Sequence, residues 1–471
     1  MRDNLGVLLP VSALPGDYGI GDFSKYAIEF IDWLKENNFI YWQILPLNPV
    51  GPAFSPYLTK CSKAIDIRYI DLDQLVQEGL LNKEPIKVPE SNRILYENVY
   101  ELKKKALNTA FNNYIKGDTS ELEKFKKKNH WSVEFAIYLI LKEKNKDAPW
   151  NTWSKKDLDF FKYNSTIPEK YSKRVNFEVF MQMIARKQWD KIVAYAHKNK
   201  IKIIADLPFY VGYDSIDCWM NRDQFLMDKN NSPKQVGGCP PDVFNEDGQL
   251  WGSPIYNFAK MKKDNYRFLI DRLVYIFKMC DCVRLDHFRA FDTYYSIPAQ
   301  DTTAKNGVWK KGPGAQFFKE LYKKEKNIQL IAEDLGGETV PGVRNLRKKF
   351  NLPGMYVFEI GAFCPDLRPE EDTIVYTGTH DSETLYGWLC NLTPEQVTDL
   401  RVRLGQPIDL YEKLLKLTIN LPSRFTILPL QDILMLGNSA RINCPGFITN
   451  ANWSWKLKNF DILDKRKYFL K

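Results

Sequence analysis

Cys282-Val283-Arg284-Leu285-Asp286-His287-Phe288-Arg289 begins as an apolar strand and ends in charge. In an extended chain alternate side chains share a face, so Arg284 and Asp286 point one way while Val283 and Leu285 point the other. Arginine beside aspartate favours the ionised carboxylate. Here Arg284 and Arg289 flank Asp286, and the expectation is that both keep it charged. An isolated Arg-x-Asp reads first as an ion pair stitching a loop. The reading changes because other apolar runs in the chain end the same way.

Working outward, eight such runs are found: Val7–Ser12, Tyr41–Leu47, Ile201–Asp206, Cys282–Asp286, Ile328–Asp334, Met355–Ile360, Thr373–Asp381 and Phe425–Asp432. Between them, apolar residues recur at helical spacing, as in Phe23, Tyr26, Ala27, Phe30, Ile31 and Leu34;. Helices are expected over 177–199, 266–279, 317–324, 343–350 and 410–419. Strands alternating with helices imply a parallel sheet. No G-x-G-x-x-G opens a helix after a strand, which argues against an open dinucleotide-binding sheet, the alternative fold. The expected fold is α/β, a (β/α)8 TIM barrel with large, mostly helical insertions at the carboxyl end of the strands. Such a barrel needs about 250 residues, leaving roughly 200 as insertion. Residues 1–471 are therefore expected to form one catalytic barrel. A helical insertion subdomain spans 51–175 after the second strand. A further insertion spans 207–260 after the third, read as a Gly/Pro-rich active-site loop.

Composition removes several classes. Hydrophobic residues at 44% and charged residues at 27% are those of a globular protein;. The net charge of +9 comes partly from clusters such as Lys103-Lys104-Lys105 and Lys126-Lys127-Lys128. These read as solvated helix faces, and no nucleic-acid motif accompanies them, so no nucleic-acid partner is expected. No apolar run reaches the length of a membrane span, and no membrane association is expected. Leu5 to Leu14 is broken by Pro10 and reads as a strand rather than a signal peptide;. Eight cysteines without a C-x-x-C pair suit a reducing, cytoplasmic setting;.

In a barrel of this kind the chemistry sits at the carboxyl ends of the strands. Read there, the chain presents Asp206, Arg284 with Asp286, Glu333 with Asp334, His380 with Asp381, and Gln431 with Asp432. Carboxylates crowded into one area repel, so their convergence marks a site. Zinc is a weak fit, because only His287 and His380 of the four histidines lie near the strand ends;. A magnesium-phosphate site would want a Gly-rich phosphate loop after the last strands, and none follows. Glycoside chemistry needs one ionised carboxylate and one carboxylic acid. Asp286, beside arginine, suits the first role. Glu333 follows apolar Ile331 and Ala332, and crowding by Asp286 and Asp381 is expected to raise its proton affinity, which suits the second.

Several stretches together are then recognisable: Ser12-Ala13-Leu14-Pro15-Gly16, Ser55-Pro56-Tyr57, Asp206-Leu207-Pro208, Gly238-Cys239-Pro240-Pro241-Asp242 and Gln249-Leu250-Trp251-Gly252-Ser253-Pro254. They continue with Arg284-Leu285-Asp286-His287-Phe288-Arg289, Ala332-Glu333-Asp334-Leu335-Gly336, Tyr376-Thr377-Gly378-Thr379-His380-Asp381 and Pro429-Leu430-Gln431-Asp432. In this order, through nearly the whole chain, they resemble the amylomaltases, 4-α-glucanotransferases or disproportionating enzymes of the α-amylase clan. The resemblance implies Asp286 as nucleophile, Glu333 as general acid/base and Asp381 as transition-state stabiliser. It implies sugar contacts for Arg284 and His380, an orienting role for Asp206, stacking by Tyr57, and Trp251 in a mobile loop over the acceptor side. It adds Ser55, His287, Asp242 and Pro254 to the substrate-binding set. It further implies transfer of α-1,4-glucan segments (maltodextrins, glycogen or starch fragments) without cofactor or metal, in a monomer or dimer. The alternative activity is α-amylase-like hydrolysis. Three positions depart from the family pattern: Ser382 where Asn is usual, Cys239 where valine is common, and Ser253 in place of a frequent Asn. None is one of the three carboxylates.

Overall fold

The structure is a computed structural model that describes residues 4–464, apart from 84, 242–244, 338–339 and 365–366. Among the described residues, twelve strands are numbered in chain order. Eight of them, β1 (Leu5–Leu8), β2 (Tyr41–Gln43), β3 (Lys202–Leu207), β6 (Cys282–Leu285), β9 (Leu330–Ala332), β10 (Gly354–Val357), β11 (Thr373–Tyr376) and β12 (Phe425–Pro429), form one sheet in the order β10-β11-β12-β1-β2-β3-β6-β9. Every pairing along it is parallel. The seam between β9 and β10 carries the Ala332 N–H to Pro353 C=O bond at 2.8 Å. The sheet is thus a nearly closed (β/α)8 barrel.

Alternation along the strands sorts the side chains into two cores. Leu8, Ile204, Ile331, Met355, Val357, Ile374, Tyr376 and Ile427 fill the barrel interior. Val7, Val283, Leu285 and Leu428 belong to the larger core under the helices. With both faces covered, the strands read as near-continuous apolar runs. Gly6 has no room for a side chain: a Cβ there would lie 2.4 Å from Ile427 Cδ1 and 2.6 Å from Tyr41 Cβ.

The expected strands all form, but most are shorter than their apolar runs, as β2 (Tyr41–Gln43), β9 (Leu330–Ala332) and β12 (Phe425–Pro429) are. Pro10 ends the first, and Val11–Ala13 is a 3-10 turn. The run read as Met355–Ile360 is strand only to Val357, since Phe358–Gly361 is helical. The helix expected from Phe177 begins at Glu169, after Pro168, and runs to Lys198. Its first two turns are Lys- and Glu-rich, so no apolar stripe announces them.

Between β2 and β3 lie helices at Leu72–Gln77, Tyr96–Tyr114, Ser120–Lys128 and His130–Lys144. Lys103 fastens this region to the barrel. Its ammonium is fully buried, 2.6 Å from Asp22 Oδ2 and 2.5 Å from the Ile70 carbonyl. The expectation of a solvated face for Lys103-Lys104-Lys105 fails at this residue.

The stretch read as a loop after β3 contains structure. β4 (Gln235–Cys239) and β5 (Gln249–Pro254) pair antiparallel and join β7 (Thr293–Pro298) and β8 (Val308–Lys311) in a four-stranded sheet ordered β5-β4-β7-β8. Gly237 and Gly238 give β4 little side-chain alternation to read. Among the described residues, no helix is long and apolar enough to cross a membrane.

Candidate active site

Inward-facing residues stay apolar at the bottom of the barrel and turn polar at the carboxyl ends. Ile204 is followed two residues later by Asp206, and Ile331 by Glu333, so each acid shares its partner's inward face;. Asp206 and Arg284 stand opposite each other in the β3–β6 register. Leu285 stands opposite Ala332 in the β6–β9 register, so Asp286 and Glu333 leave adjacent strand ends. Below them the Tyr376 hydroxyl donates to Gln43 Oε1 at 2.8 Å, sealing the interior.

Arg284 is the electrostatic centre. Its Nη1 lies 2.7 Å from Asp206 Oδ2 and 3.0 Å from Asp286 Oδ1. Asp206 also accepts the Tyr57 hydroxyl at 2.8 Å. Arg289, expected beside Asp286, faces elsewhere: Nη1 donates to the Gly336 carbonyl at 2.7 Å, and the guanidinium stacks 3.7 Å from the Trp309 ring centroid. Only one of the two expected arginines therefore contacts the aspartate.

Two acids of unequal proton affinity result. Burial pushes Asp286 up to about 7, with Asp206 and Asp381 adding repulsion, against the pull of Arg284. Its side chain keeps 27% of its surface exposed, so water still reaches it. Burial pushes Glu333 well above the usual range, and the Asp286 and Asp334 charges push the same way. The crowding expected from Asp381 comes instead from Asp334. Glu333 accepts the His287 N–H at 2.6 Å, which the positive φ of His287 (50°) turns toward it. Protons in such a pair belong to both groups, but direct contact with arginine gives Asp286 the weaker hold. That contact favours the ionised form of Asp286, while burial and the neighbouring Asp286 and Asp334 charges favour the proton on Glu333.

Asp381 is held from three sides. Asn443 Nδ2 donates to Oδ1 at 2.7 Å, Arg441 donates to the Asp381 carbonyl at 2.7 Å, and His380 Nε2 lies 3.3 Å from Oδ2. The Asn443 N–H also donates to the His380 carbonyl at 3.0 Å. His380 is buried and kept from protonating by burial. Its ring lies 5.2 Å from that of Tyr57 at 10°, and Trp453 is 6.0 Å away. The Ser55 hydroxyl accepts the Tyr57 N–H at 3.3 Å. The preceding Ala53 and Phe54 both have positive φ, 52° and 59°.

Trp251 lies on β5 rather than in a loop. Its ring meets His287 edge-on at 4.8 Å, and Nε1 donates to Gln249 Oε1 at 3.0 Å. Burial pushes His287 down to about 4, so it stays neutral. Pro254 is buried at the end of β5, opposite Val236. Asp242 lies outside the described residues. Two strand-end acids turn away from the cleft. Asp334 accepts Met355 N–H at 2.8 Å and lies 3.2 Å from Arg347. Asp432 bonds Thr377 and the Leu385 N–H, and Gln431 bonds the Ala440 carbonyl. Asn443, Arg441 and Trp453 went unread in the sequence, because they follow the last strand and share no motif with it. Among the described residues, no group of three or more His, Cys, Asp and Glu could hold a metal ion.

A protonated glutamic acid beside an arginine-touched aspartate can protonate an acetal oxygen while the neighbour attacks or stabilises the carbon. On this rim, that is the chemistry of a (β/α)8 enzyme that works on glycosidic bonds. Comparison with known proteins narrows it. The 4-alpha-glucanotransferase profile matches residues 9–462. The 4-alpha-glucanotransferase of Aquifex aeolicus (strain VF5) is 37% identical, covering 99% of this chain and 97% of that one. That of Streptococcus pneumoniae serotype 4 is 36% identical over 96% and 92%. The amylomaltase of Streptococcus agalactiae, solved in complex with acarbose, superposes with a TM-score of 0.94 at 31% identity, covering 100% of this chain and 98% of that one. The chain belongs to the 4-alpha-glucanotransferase family.

Proposed function

We propose that the protein moves segments of α-1,4-glucan from one chain to the 4-hydroxyl of another by a retaining double displacement, with Asp286 as nucleophile and Glu333 as acid and base. The observation that carries this is the unequal pair: Asp286 touches Arg284 at 3.0 Å, while Glu333 has no arginine contact among the described residues and its proton affinity is pushed up by desolvation and by the Asp286 charge. In the first step an Asp286 oxygen bonds the anomeric carbon as the glycosidic C–O bond breaks, and Glu333 gives its proton to the oxygen of the departing glucan, which leaves with a free 4-hydroxyl. In the second, Glu333 takes a proton from the acceptor 4-hydroxyl, whose oxygen bonds that carbon and releases Asp286. Retention needs the carboxyl groups about 5–5.5 Å apart. Adjacent strands lie about 4.8 Å apart, and Asp286 and Glu333 leave the adjacent strands β6 and β9.

Asp381, braced by Asn443, binds sugar hydroxyls and tightens its hold as positive charge develops on the ring;. Arg284 and Asp206 fix the nucleophile and the Tyr57 hydroxyl. Tyr57, His380 and Trp453 form an aromatic wall on the donor side. Trp251 and His287 border the acceptor side, with Ser55, Asp242 and Pro254 completing the set. The substrates are maltodextrins and fragments of glycogen or starch, in line with the acarbose complex of the streptococcal amylomaltase. We place the protein in the cytoplasm, on the strength of eight free cysteines;. Residues 51–175 and 207–260 act as insertions on one catalytic barrel.

Transfer rather than hydrolysis is favoured by the names of the full-length relatives. Incubation with maltotriose tests it: the expected products are glucose and a ladder of longer glucans with almost no gain in reducing ends. Steady growth of reducing ends would assign the protein to the hydrolases.

A further inference from the structure

Trp309 stands on the rim beyond the groups described above. Among 12 tryptophans it is the one that is exposed, with 40% of its surface open. It lies on β8, the outer strand of the small sheet, opposite Tyr295 of β7. An indole in water forgoes a large burial gain, so an exposed, rigidly held one invites a ligand. Trp309 is held rigidly. The Arg289 guanidinium covers one face at 3.7 Å, and the Tyr295 ring leans on it at 5.1 Å and 60°.

One support of this ring, Arg289, comes from the segment after β6, and the other, Tyr295, from β7. Arg289 is three residues past Asp286, and it donates to the carbonyl of Gly336, three residues past Glu333. Trp309 therefore stands beside the segments that follow β6 and β9, the strands that lead into Asp286 and Glu333. Glu333 protonates the departing glucan and later deprotonates the acceptor, so that side is where both chains run. Trp251, reached through His287, is nearer the acid. Trp309 is farther out. A glucan is uncharged, and the C–H face of its pyranose ring is matched by an aromatic face rather than by lysines.

We propose that Trp309 is an outer acceptor-side platform on which a glucose unit beyond the one next to the scissile bond stacks, so that the enzyme selects glucans long enough to reach it. This rests on the reading of the protein as a glucan transferase. The test compares kcat/KM for transfer across maltotriose to maltoheptaose in the native protein, Trp309→Thr and Trp309→Gln. Val308→Ala, on the other face of the same strand, serves as control. Native kcat/KM is expected to rise with length. In both Trp309 variants the maltoheptaose-to-maltotriose ratio is expected to fall about fivefold through KM, the size of one aromatic contact. Val308→Ala is expected to keep the native profile. Thermal melting identifies which Trp309 variant is folded, and a native length profile in a folded one overturns the proposal. Absence of any ladder from the native protein overturns the transferase reading itself, a distinguishable result.

Discussion

Arg284 divides its charge between two acids, and the consequences are measurable at single residues. Asp286 binds its proton more tightly in the folded state (about 7) than its ordinary value of 3.8. The sign follows: stability tied to this group is full below pH 3.8 and is lost as pH rises through about 7. Asp286→Asn should therefore raise stability at pH 8 by about 1–3 kcal/mol, with the gap shrinking at pH 5, while transfer falls at least about 10³-fold. Thermal melts at both pH values, run beside the maltotriose assay, check both halves. Asn443→Ala removes the 2.7 Å donor to Asp381 but keeps the backbone bond to His380. A hydrogen bond to a charged group is worth about 1.5–3 kcal/mol, so kcat should drop roughly 10- to 100-fold with little change in KM. The two acids also shape the pH profile. Activity on maltotriose should rise as Asp286 ionises and fall as Glu333 loses its proton, giving a bell. With maltosyl fluoride, whose leaving group needs no proton, the alkaline fall of the first step should vanish. A persisting alkaline limb would take the acid role away from Glu333.

At the scale of elements, the legible parts of the chain were those with a strong pattern. The helix Lys25–Glu36 follows its apolar stripe to within two residues. β6 delivers Arg284 inward, as strand alternation requires. The β4–β5 hairpin was illegible because glycines and prolines erase alternation. The region of the helix Tyr96–Tyr114 reads as helical, but its lysine cluster is not all a solvated face, since Lys103 reaches a buried acid 81 residues away in no pattern the sequence displays. That buried pair is the element's anchor. Lys103→Met leaves Asp22 uncompensated in the interior and should cost about 3–5 kcal/mol. Lys103→Met with Asp22→Asn should recover part of the loss. Urea unfolding of the two variants measures the difference, and an equal loss in both would mean the pair is not the anchor.

For the whole molecule, the barrel was readable because its eight strands recur in order with helices between them. At the strand ends, the residues picked from the sequence, Asp206, Arg284, Asp286, Glu333, His380 and Asp381, do converge on one rim. What strand order cannot show is which end residues turn inward. Asp334 and Asp432 share the motifs of their neighbours yet serve packing, bonded to Met355 and Leu385. Nor can it show what folds back from beyond the last strand, as Asn443 and Trp453 do onto Asp381 and His380. The claim that joins these scales is a covalent intermediate on Asp286. Glu333→Gln protein treated with maltotriosyl fluoride should form that intermediate and be slow to release it, because the base of the second step is missing. Mass spectrometry of its peptides should find the maltotriosyl mass on the peptide carrying Asp286. An adduct on another carboxylate, or turnover of the fluoride to inverted product with no adduct, would contradict the account.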